Sequence, residues 1–196
     1  MVVARQVCQA VLDERDNEQV QGYLLVIDGK EKQAFLCGEA ERLLAEGEYV
    51  RAREKLTDIQ LLYPNTCNAP ERIAQLSDQL DMEATFKQGS EAFAAGDCSL
   101  TVEKFEQVRA RSTTYEAQTI AGALYQCYLK LGLEIVSLDP PAVEQLPIAL
   151  DDFTRALSFR PNDANARGEQ TLVSQFTAGQ RALDEGKLDN AIQSLA

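Results

Sequence analysis

The sequence predicts an all-α fold of antiparallel helix hairpins, and two observations lead to this prediction. A footprint of five residues recurs along the 196-residue chain, and its clearest copy is Gly47, Ala52, Leu56, Ile59 and Pro64. Apolar residues are also spaced three and four apart over most of the chain, which is the period of a helix face, whereas the alternation typical of a strand is scarce. A series of helix pairs accounts for both observations.

Each position of the footprint has a physical role in a helical hairpin. Gly47 ends one helix and permits a tight turn, because glycine readily adopts the left-handed conformation. Ala52 is small where two helices cross closely, and Leu56 and Ile59 face the core. Pro64 stops the second helix, since proline lacks the backbone N–H that a helix needs.

The footprint returns less completely in three more places. The matching residues are Gly96, Phe105 and Val108, then Ala149, Phe153, Ala156 and Pro161, then Gly186, Ala191 and Leu195. Thr101 replaces the small alanine in the first of these copies, and Gly132 is predicted to end the helix that precedes the second. A small residue also stands seven positions before three of the turn glycines, at Ala40, Gly89 and Gly179. A fainter copy at the N-terminus has Arg15 in place of the glycine.

This pattern resembles that of the tetratricopeptide repeat family, in a degenerate bacterial-type form. The resemblance covers nearly the whole chain as a single domain, 1–196, with the following approximate repeats: 1–32, 33–66, 70–115, 116–163 and 164–196, with an insertion at about 133–145. It implies antiparallel helix pairs stacked in a right-handed superhelical solenoid whose concave groove holds a peptide or a partner helix. It implies no catalytic activity.

The apolar periodicity and the turn residues place the individual helices. They are predicted at 3–13, 17–28, 31–46, 49–63, 70–95, 99–111, 115–131, 142–159 and 164–185, with a last one from 188. Pro70 suits the first turn of an unusually long helix. In the insertion, Asp139 is expected to cap a helix that starts at Pro140, and Pro147 to mark a restart or kink. The insertion is either a specificity loop or a tolerated addition.

Charge and composition exclude several classes of function. The net charge of −12 opposes binding to nucleic acid or to an anionic membrane. The acidic residues either solvate the outer helix faces or attract a basic partner. The chain contains no histidine, the commonest general base and zinc ligand, and no phosphate-binding glycine motif, so neither catalysis nor a metal or other cofactor is expected.

Localisation and cysteine chemistry are predicted from the same composition. No apolar run is long enough to span a bilayer. Residues 1–13 are not expected to be a signal peptide, because Arg5 and Gln9 interrupt any apolar stretch. The chain is therefore expected to be cytoplasmic as it stands, or extracytoplasmic if a targeting segment was removed. Five cysteines lie 29 to 31 residues apart, at Cys8, Cys37, Cys67, Cys98 and Cys127. Because they occupy different places in their hairpins, the regularity looks accidental; structural thiols are predicted, with disulfides as the alternative.

The predicted function is that of a noncatalytic protein–protein interaction scaffold. The resemblance implies that residues on the first helix of each pair line the groove, and on this chain they are Arg5, Gln9, Glu41, Phe86, Ser90, Phe93, Gln126, Lys130, Phe176 and Gln180. Amides and a hydroxyl beside phenylalanines suit a peptide backbone with apolar anchors, although any of the phenylalanines is alternatively a core residue.

The main alternative is a structural subunit that stacks end to end into an oligomer or filament. Its contacts are predicted at apolar residues of the first and last helices, namely Val3, Val7, Val11, Ile192 and Leu195. An apolar stacking face at each end of a repeat array favours association with another copy.

Overall fold

The computed structural model describes residues 2–14, 17–138 and 143–195, and in these ranges the chain forms nine α-helices, one short 3-10 helix and no strand. The helices pack sequentially as adjacent antiparallel pairs. The all-α prediction is therefore confirmed. The helices are α1 (Val2–Glu14), α2 (Glu18–Ala45), α3 (Tyr49–Leu62), α4 (Ala69–Ala95), α5 (Cys98–Arg111), α6 (Ala117–Val136), α7 (Leu146–Phe159), α8 (Ala164–Asp184) and α9 (Leu188–Leu195), and the 3-10 helix is Val143–Gln145.

The chain divides into two compact units, residues 1–81 and 82–196. The core of the first unit is a cluster of small and branched apolar side chains from α2, α3 and the start of α4. Its buried members are Ala40, Leu43, Ala52, Leu56, Ile59, Ala69 and Leu76. Ala40, Ala52, Leu56 and Ile59 were expected to be buried, because they hold the small and the large apolar positions of the predicted repeat 33–66.

The second unit has two buried clusters. One joins α5, α6 and α7 around Phe105, Val108, Ile120, Leu124 and Tyr128, and the other joins α7 and α8 around Leu146, Ala149, Phe153 and Val173. Thr101, which replaces alanine at a crossing, is completely buried. Its Oγ1 donates to the backbone oxygen of Asp97 at 2.6 Å, so the hydroxyl is satisfied within its own helix.

Turn glycines, as predicted, and side-chain caps at Asp97 and Asp163, which the sequence analysis did not predict, define several helix ends. Gly47, Gly96 and Gly186 have φ of +76°, +77° and +70°, where a side chain would be strained. At the start of α5, Asp97 accepts a hydrogen bond from the Leu100 N–H at 3.0 Å. Asp163 does the same for Ala166 at the start of α8, at 2.8 Å.

Two predicted helices, 17–28 and 31–46, are in fact the single helix α2. Gly29, between the two predicted ranges, lies inside the helix with nothing within 4 Å of where its Cβ would be. A helical glycine costs only about 1 kcal/mol relative to alanine. Arg5 pairs with both Asp28 and Glu31, and residues three apart share a face only if the helix is continuous.

Gly132 does not end a helix, so this prediction was wrong. It lies inside α6, and a Cβ there would be 2.8 Å from the Phe153 ring. Gly89 stands in the same relation to Phe105, at 2.6 Å. Gly132 therefore corresponds to Gly89, the small residue seven positions before the turn, because both permit a close crossing by an aromatic ring.

This register also moves the predicted insertion. Residues 133–136 belong to α6, so the interruption begins later than predicted. Pro147 lies in the first turn of α7, which begins at Leu146 rather than at residue 142, and proline is tolerated there because the first N–H groups of a helix have no partner within it. The predicted cap Asp139 and helix start Pro140 lie outside the described residues.

Four cysteines form two disulfides, Cys37–Cys67 and Cys98–Cys127, so the prediction of free thiols holds only for Cys8. The Cα–Cα distances are 5.9 Å and 4.8 Å, within the usual range for a disulfide. Cys98 meets Cys127 because α5 and α6 are antiparallel. Cys67 meets α2 because the loop after α3 has a left-handed conformation at both Cys67 and Asn68.

Replacing Gly132 with alanine should destabilise the fold, whereas replacing Gly122 in the same helix should not. The Phe153 ring is fully buried and has no room to retreat, so Gly132→Ala is expected to cost about 1 to 3 kcal/mol of unfolding free energy. Gly122 has nothing within 4 Å, and Gly122→Ala should gain up to about 1 kcal/mol. Urea unfolding of both variants measures the difference. Equal effects would show that the close crossing does not exist.

Candidate functional site

The predicted groove residues of the first unit are engaged in polar contacts, two of them with a neighbouring helix and one within α1. Arg5 Nη2 lies 2.8 Å from Glu31 Oε2 and also contacts Asp28. Glu41 Oε1 lies 3.7 Å from Arg72 Nη1 of α4. Gln9 Nε2 donates to Asp13 at 3.5 Å within α1. These side chains are mostly exposed, so the ion pairs contribute little stability, but they fix the polar surface of this unit.

Phe86 is partly buried and packs against the core cluster of the second unit. Its ring centroid is 5.5 Å from that of Phe105 and 5.6 Å from that of Tyr115, distances typical of favourable aromatic pairs. The core alternative considered for the phenylalanines therefore applies to Phe86. Ser90, one turn further along α4, donates its hydroxyl to the Phe86 backbone oxygen at 3.0 Å.

Lys130 lies against the turn that follows Phe93. Its Nζ donates to the Gly96 backbone oxygen at 3.0 Å, which ties α6 to the end of α4. Phe93 and Gln126 are exposed, and the Gly96 N–H donates to the Phe93 oxygen at 3.0 Å. Lys130 of α6 and Phe93 of α4 are therefore both hydrogen-bonded to the turn at Gly96.

Phe176 lines an apolar hollow, called here the α8 hollow, of about 310 Å³. Its other lining residues come from the end of α6, the start of α7 and α8, and are Val136, Leu146, Glu169, Leu172 and Val173. Phe176 is 37% exposed and Leu172 is 61% exposed. Gln180, one turn after Phe176, is partly buried.

The predicted end-to-end contacts are exposed where the structure describes them. Val3, Val7 and Val11 are exposed on α1, and Ile192 is 67% exposed on α9. Leu195 belongs to α9, but its side chain lies outside the described part of the chain.

Sequence reasoning missed Asp152, a carboxylate on the buried face of α7. Its side chain is only 9% exposed and lines a hollow of about 300 Å³, called here the Asp152 hollow. The other lining residues are Leu131, Glu134, Ile135, Leu138 and Gln145. Periodicity could have indicated its burial, since position 152 lies on the same helix face as 149, 153 and 156, which belong to the repeat pattern.

Burial raises the pKa of Asp152 to about 6, and the neighbouring Asp151 adds to this shift while Arg155 opposes it. No hydrogen bond or ion pair of the Asp152 side chain is found within the described residues. Arg155 is engaged elsewhere, with its Nε 2.7 Å from Asp151 Oδ2 and its Nη1 3.3 Å from the Tyr128 hydroxyl. The Asp152 oxygens keep contact with solvent, since no fully buried side-chain oxygen of the described residues lacks a partner. The low exposure of the residue nevertheless makes the carboxylate costly to ionise.

Tyr128 holds three helices together through a polar and aromatic network. Its hydroxyl donates to Glu106 at 3.0 Å and accepts from Arg155. Arg109 contacts both Glu106 oxygens at 2.9 Å and stacks 4.8 Å above the Phe159 ring. Burial raises the pKa of Tyr128, so the hydroxyl stays protonated. We interpret this network as a structural link between α5, α6 and α7.

In the part of the chain that the structure describes, no three His, Cys, Asp or Glu side chains are arranged to hold a metal ion. Within the same ranges, none of the helices combines the length and apolarity that a bilayer crossing demands. No protein-family model matches the chain, and no curated protein or solved structure shows significant similarity to it. The candidate sites therefore rest on the geometry of this chain alone.

Asp152→Asn should stabilise the protein at neutral pH but not in acid. The pKa of the folded carboxyl lies above its ordinary value, so the folded state binds more protons between about pH 4 and 6 and wild-type stability falls as pH rises through that window. Asparagine avoids this loss. We expect a gain of about 1 to 3 kcal/mol at pH 7.5 that disappears near pH 4, measured by urea unfolding at several pH values.

Asp151→Asn is the matched control for this experiment, because Asp151 is exposed on the same helix. Its substitution should change the unfolding free energy by less than about 1 kcal/mol. A destabilising Asp152→Asn substitution at pH 7.5 would mean that the carboxylate is well solvated or paired.

Proposed function

We propose that the chain is a noncatalytic interaction scaffold with a tetratricopeptide-like solenoid fold, which binds a partner peptide or helix. Support for the fold comes from the repeated crossing of a small residue on a first helix by a large one on a second helix. Gly89 with Phe105 and Gly132 with Phe153 have this relation, and Ala40 with Leu56 are buried in one cluster. The left-handed glycines that follow α2, α4 and α8 add to this support.

The observation that carries the binding proposal is the α8 hollow with its exposed Phe176 and Leu172. Exposed apolar side chains around a concave surface are typical of peptide-binding sites. Gln180 on the same helix offers an amide to a peptide backbone. The net charge of −12 favours a partner with basic residues, because opposite charge speeds encounter and disfavours acidic competitors.

Phe176→Ala should weaken peptide binding without unfolding the chain. Peptides selected from a display library against the full chain would provide ligands, and fluorescence anisotropy would give their affinities. Loss of an apolar anchor of this size costs at least about 2 kcal/mol, a reduction in affinity of roughly 30-fold. Phe176 is already partly solvated, so the helical circular dichroism signal should be retained.

Ile148→Ala is the control for Phe176→Ala, because Ile148 is also an exposed apolar residue of the second unit but does not line the α8 hollow. Its substitution should leave affinity unchanged. If both variants bind the selected peptides as tightly as the wild type, the α8 hollow is not the binding site.

A second candidate function is self-assembly, favoured by the exposed apolar faces of α1 and α9. Contact between α9 of one copy and α1 of the next would be head-to-tail, and such contacts build rings or open filaments. Replacing both Ile192 and Leu195 with glutamate should reduce the mass measured by light scattering to that of one chain. If light scattering gives the mass of one chain for the wild type at all protein concentrations measured, this candidate is wrong.

The two disulfides support an oxidising, extracytoplasmic compartment for the mature protein, the second of the two localisations considered from the sequence. Protein isolated from its source without reductant and alkylated should then carry the label on Cys8 only, as measured by peptide mass spectrometry. Labelling of all five cysteines would indicate a reducing compartment.

A further inference from the structure

We propose that the Asp152 hollow binds the cationic end of a lysine or arginine side chain from a partner protein, with Asp152 as counter-ion and Leu131 and Ile135 against the aliphatic stem. The site lies between the C-terminal end of α6, the 3-10 helix and α7. The choice of a partner protein as the source rests on the proposed function, whereas the cation site itself does not.

The geometry of the hollow is that of a site for one charged group on an apolar stem. Asp152 is nine-tenths buried and faces a space of about 300 Å³, and no described residue satisfies its carboxylate. Three of the lining side chains, Leu131, Ile135 and Leu138, are aliphatic. Lysine and arginine bury such stems against apolar surface while their charged ends find a polar partner.

The charges around the hollow favour a cation over any other ligand. On α6, Glu134 lines the hollow. Its Oε1 is 3.7 Å from Lys130 Nζ, in an exposed and therefore weak ion pair. From the 3-10 helix it receives the neutral amide of Gln145. On α7, Asp151 adds negative charge and is bound to Arg155. Two carboxylates and an amide suit an ammonium or guanidinium group, which is satisfied by few acceptors.

Binding of this cation is coupled to a proton. An ammonium or guanidinium group close to Asp152 stabilises the ionised carboxylate and lowers its raised pKa. The site therefore releases up to about one proton as it binds below pH 6, and affinity increases as pH rises through 6. The Glu134 carboxylate, which also lines the hollow, adds a second negative charge to the attraction.

The experiment follows the Asp152 carboxyl carbon by NMR in the full chain, with Asp152→Asn used to assign the resonance. The probes are N-acetyl-arginine-N-methylamide and N-acetyl-lysine-N-methylamide, with the uncharged norleucine analogue as control. We expect dissociation constants on the order of millimolar for ligands this small, and at saturation a pKa for Asp152 about one unit lower. Asp152→Asn should weaken the charged probes about ten-fold, whereas Asp151→Asn, which removes a carboxylate already paired with Arg155, should weaken them much less.

Several results would overturn the inference. Equal binding of the norleucine analogue would show an apolar hollow without a cation site. An unchanged Asp152 titration at 50 mM probe, on the order of ten times the expected dissociation constants, would show that the carboxylate does not take part. Tighter binding of free cadaverine than of blocked lysine would assign the site to a small amine instead of a partner protein.

Failure of this inference is distinguishable from failure of the proposed function. If neither charged probe binds but peptide binding still depends on Phe176, the cation site alone is overturned. If the charged probes bind but the display library yields no peptide ligand, the proposed function is overturned, and so is the partner protein as the source of the cation. The cation site itself would then remain. Unfolding does not confuse these results, because Asp152→Asn removes a buried charge and is expected to be the more stable chain.

Discussion

The close crossing of two helices at a residue without a side chain is the constraint on which the second unit depends. At Gly89 and at Gly132 an aromatic ring, Phe105 or Phe153, occupies the place where a Cβ would stand. The ring is buried because the helices approach closely, and the helices approach closely because the glycine permits it. Placing α5 against α4 and α7 against α6 in this way also determines where Cys98, Tyr128 and Asp152 lie.

The repeat pattern predicts helices well where each residue acts locally. Gly47, Gly96 and Gly186 adopt the left-handed conformation because no other residue does so easily, and this preference is visible in the sequence alone. The same reasoning failed at Gly132, because the sequence alone does not distinguish a glycine inside a helix from one that ends it. The packing neighbour decides between the two roles, and the neighbour of Gly132, the Phe153 ring, is distant in sequence.

The site was less predictable than the fold, for related reasons. Disulfides depend on Cα–Cα distance, and a spacing of about 30 residues gives no distance until the hairpins are placed. Phe86 and Phe176 hold the same position in the repeat pattern. Phe86 packs against Tyr115 from the loop between α5 and α6, whereas Phe176 lines the α8 hollow. Periodicity assigns a face to each residue, but it does not say whether another element covers that face.

Asp152 shows how a local conflict in a sequence points to a function. A carboxylate on the apolar stripe of α7 lowers stability whenever it is ionised, and an asparagine or alanine there would avoid the loss. Surface acids of this chain, such as Glu185 with Lys187 at 2.7 Å, carry no such penalty because water solvates them. Residues that oppose the fold are retained most readily where they serve a ligand. The acidic surface and Asp152 therefore call for separate explanations: water solvates the surface acids, whereas we propose recognition of a single cation for Asp152.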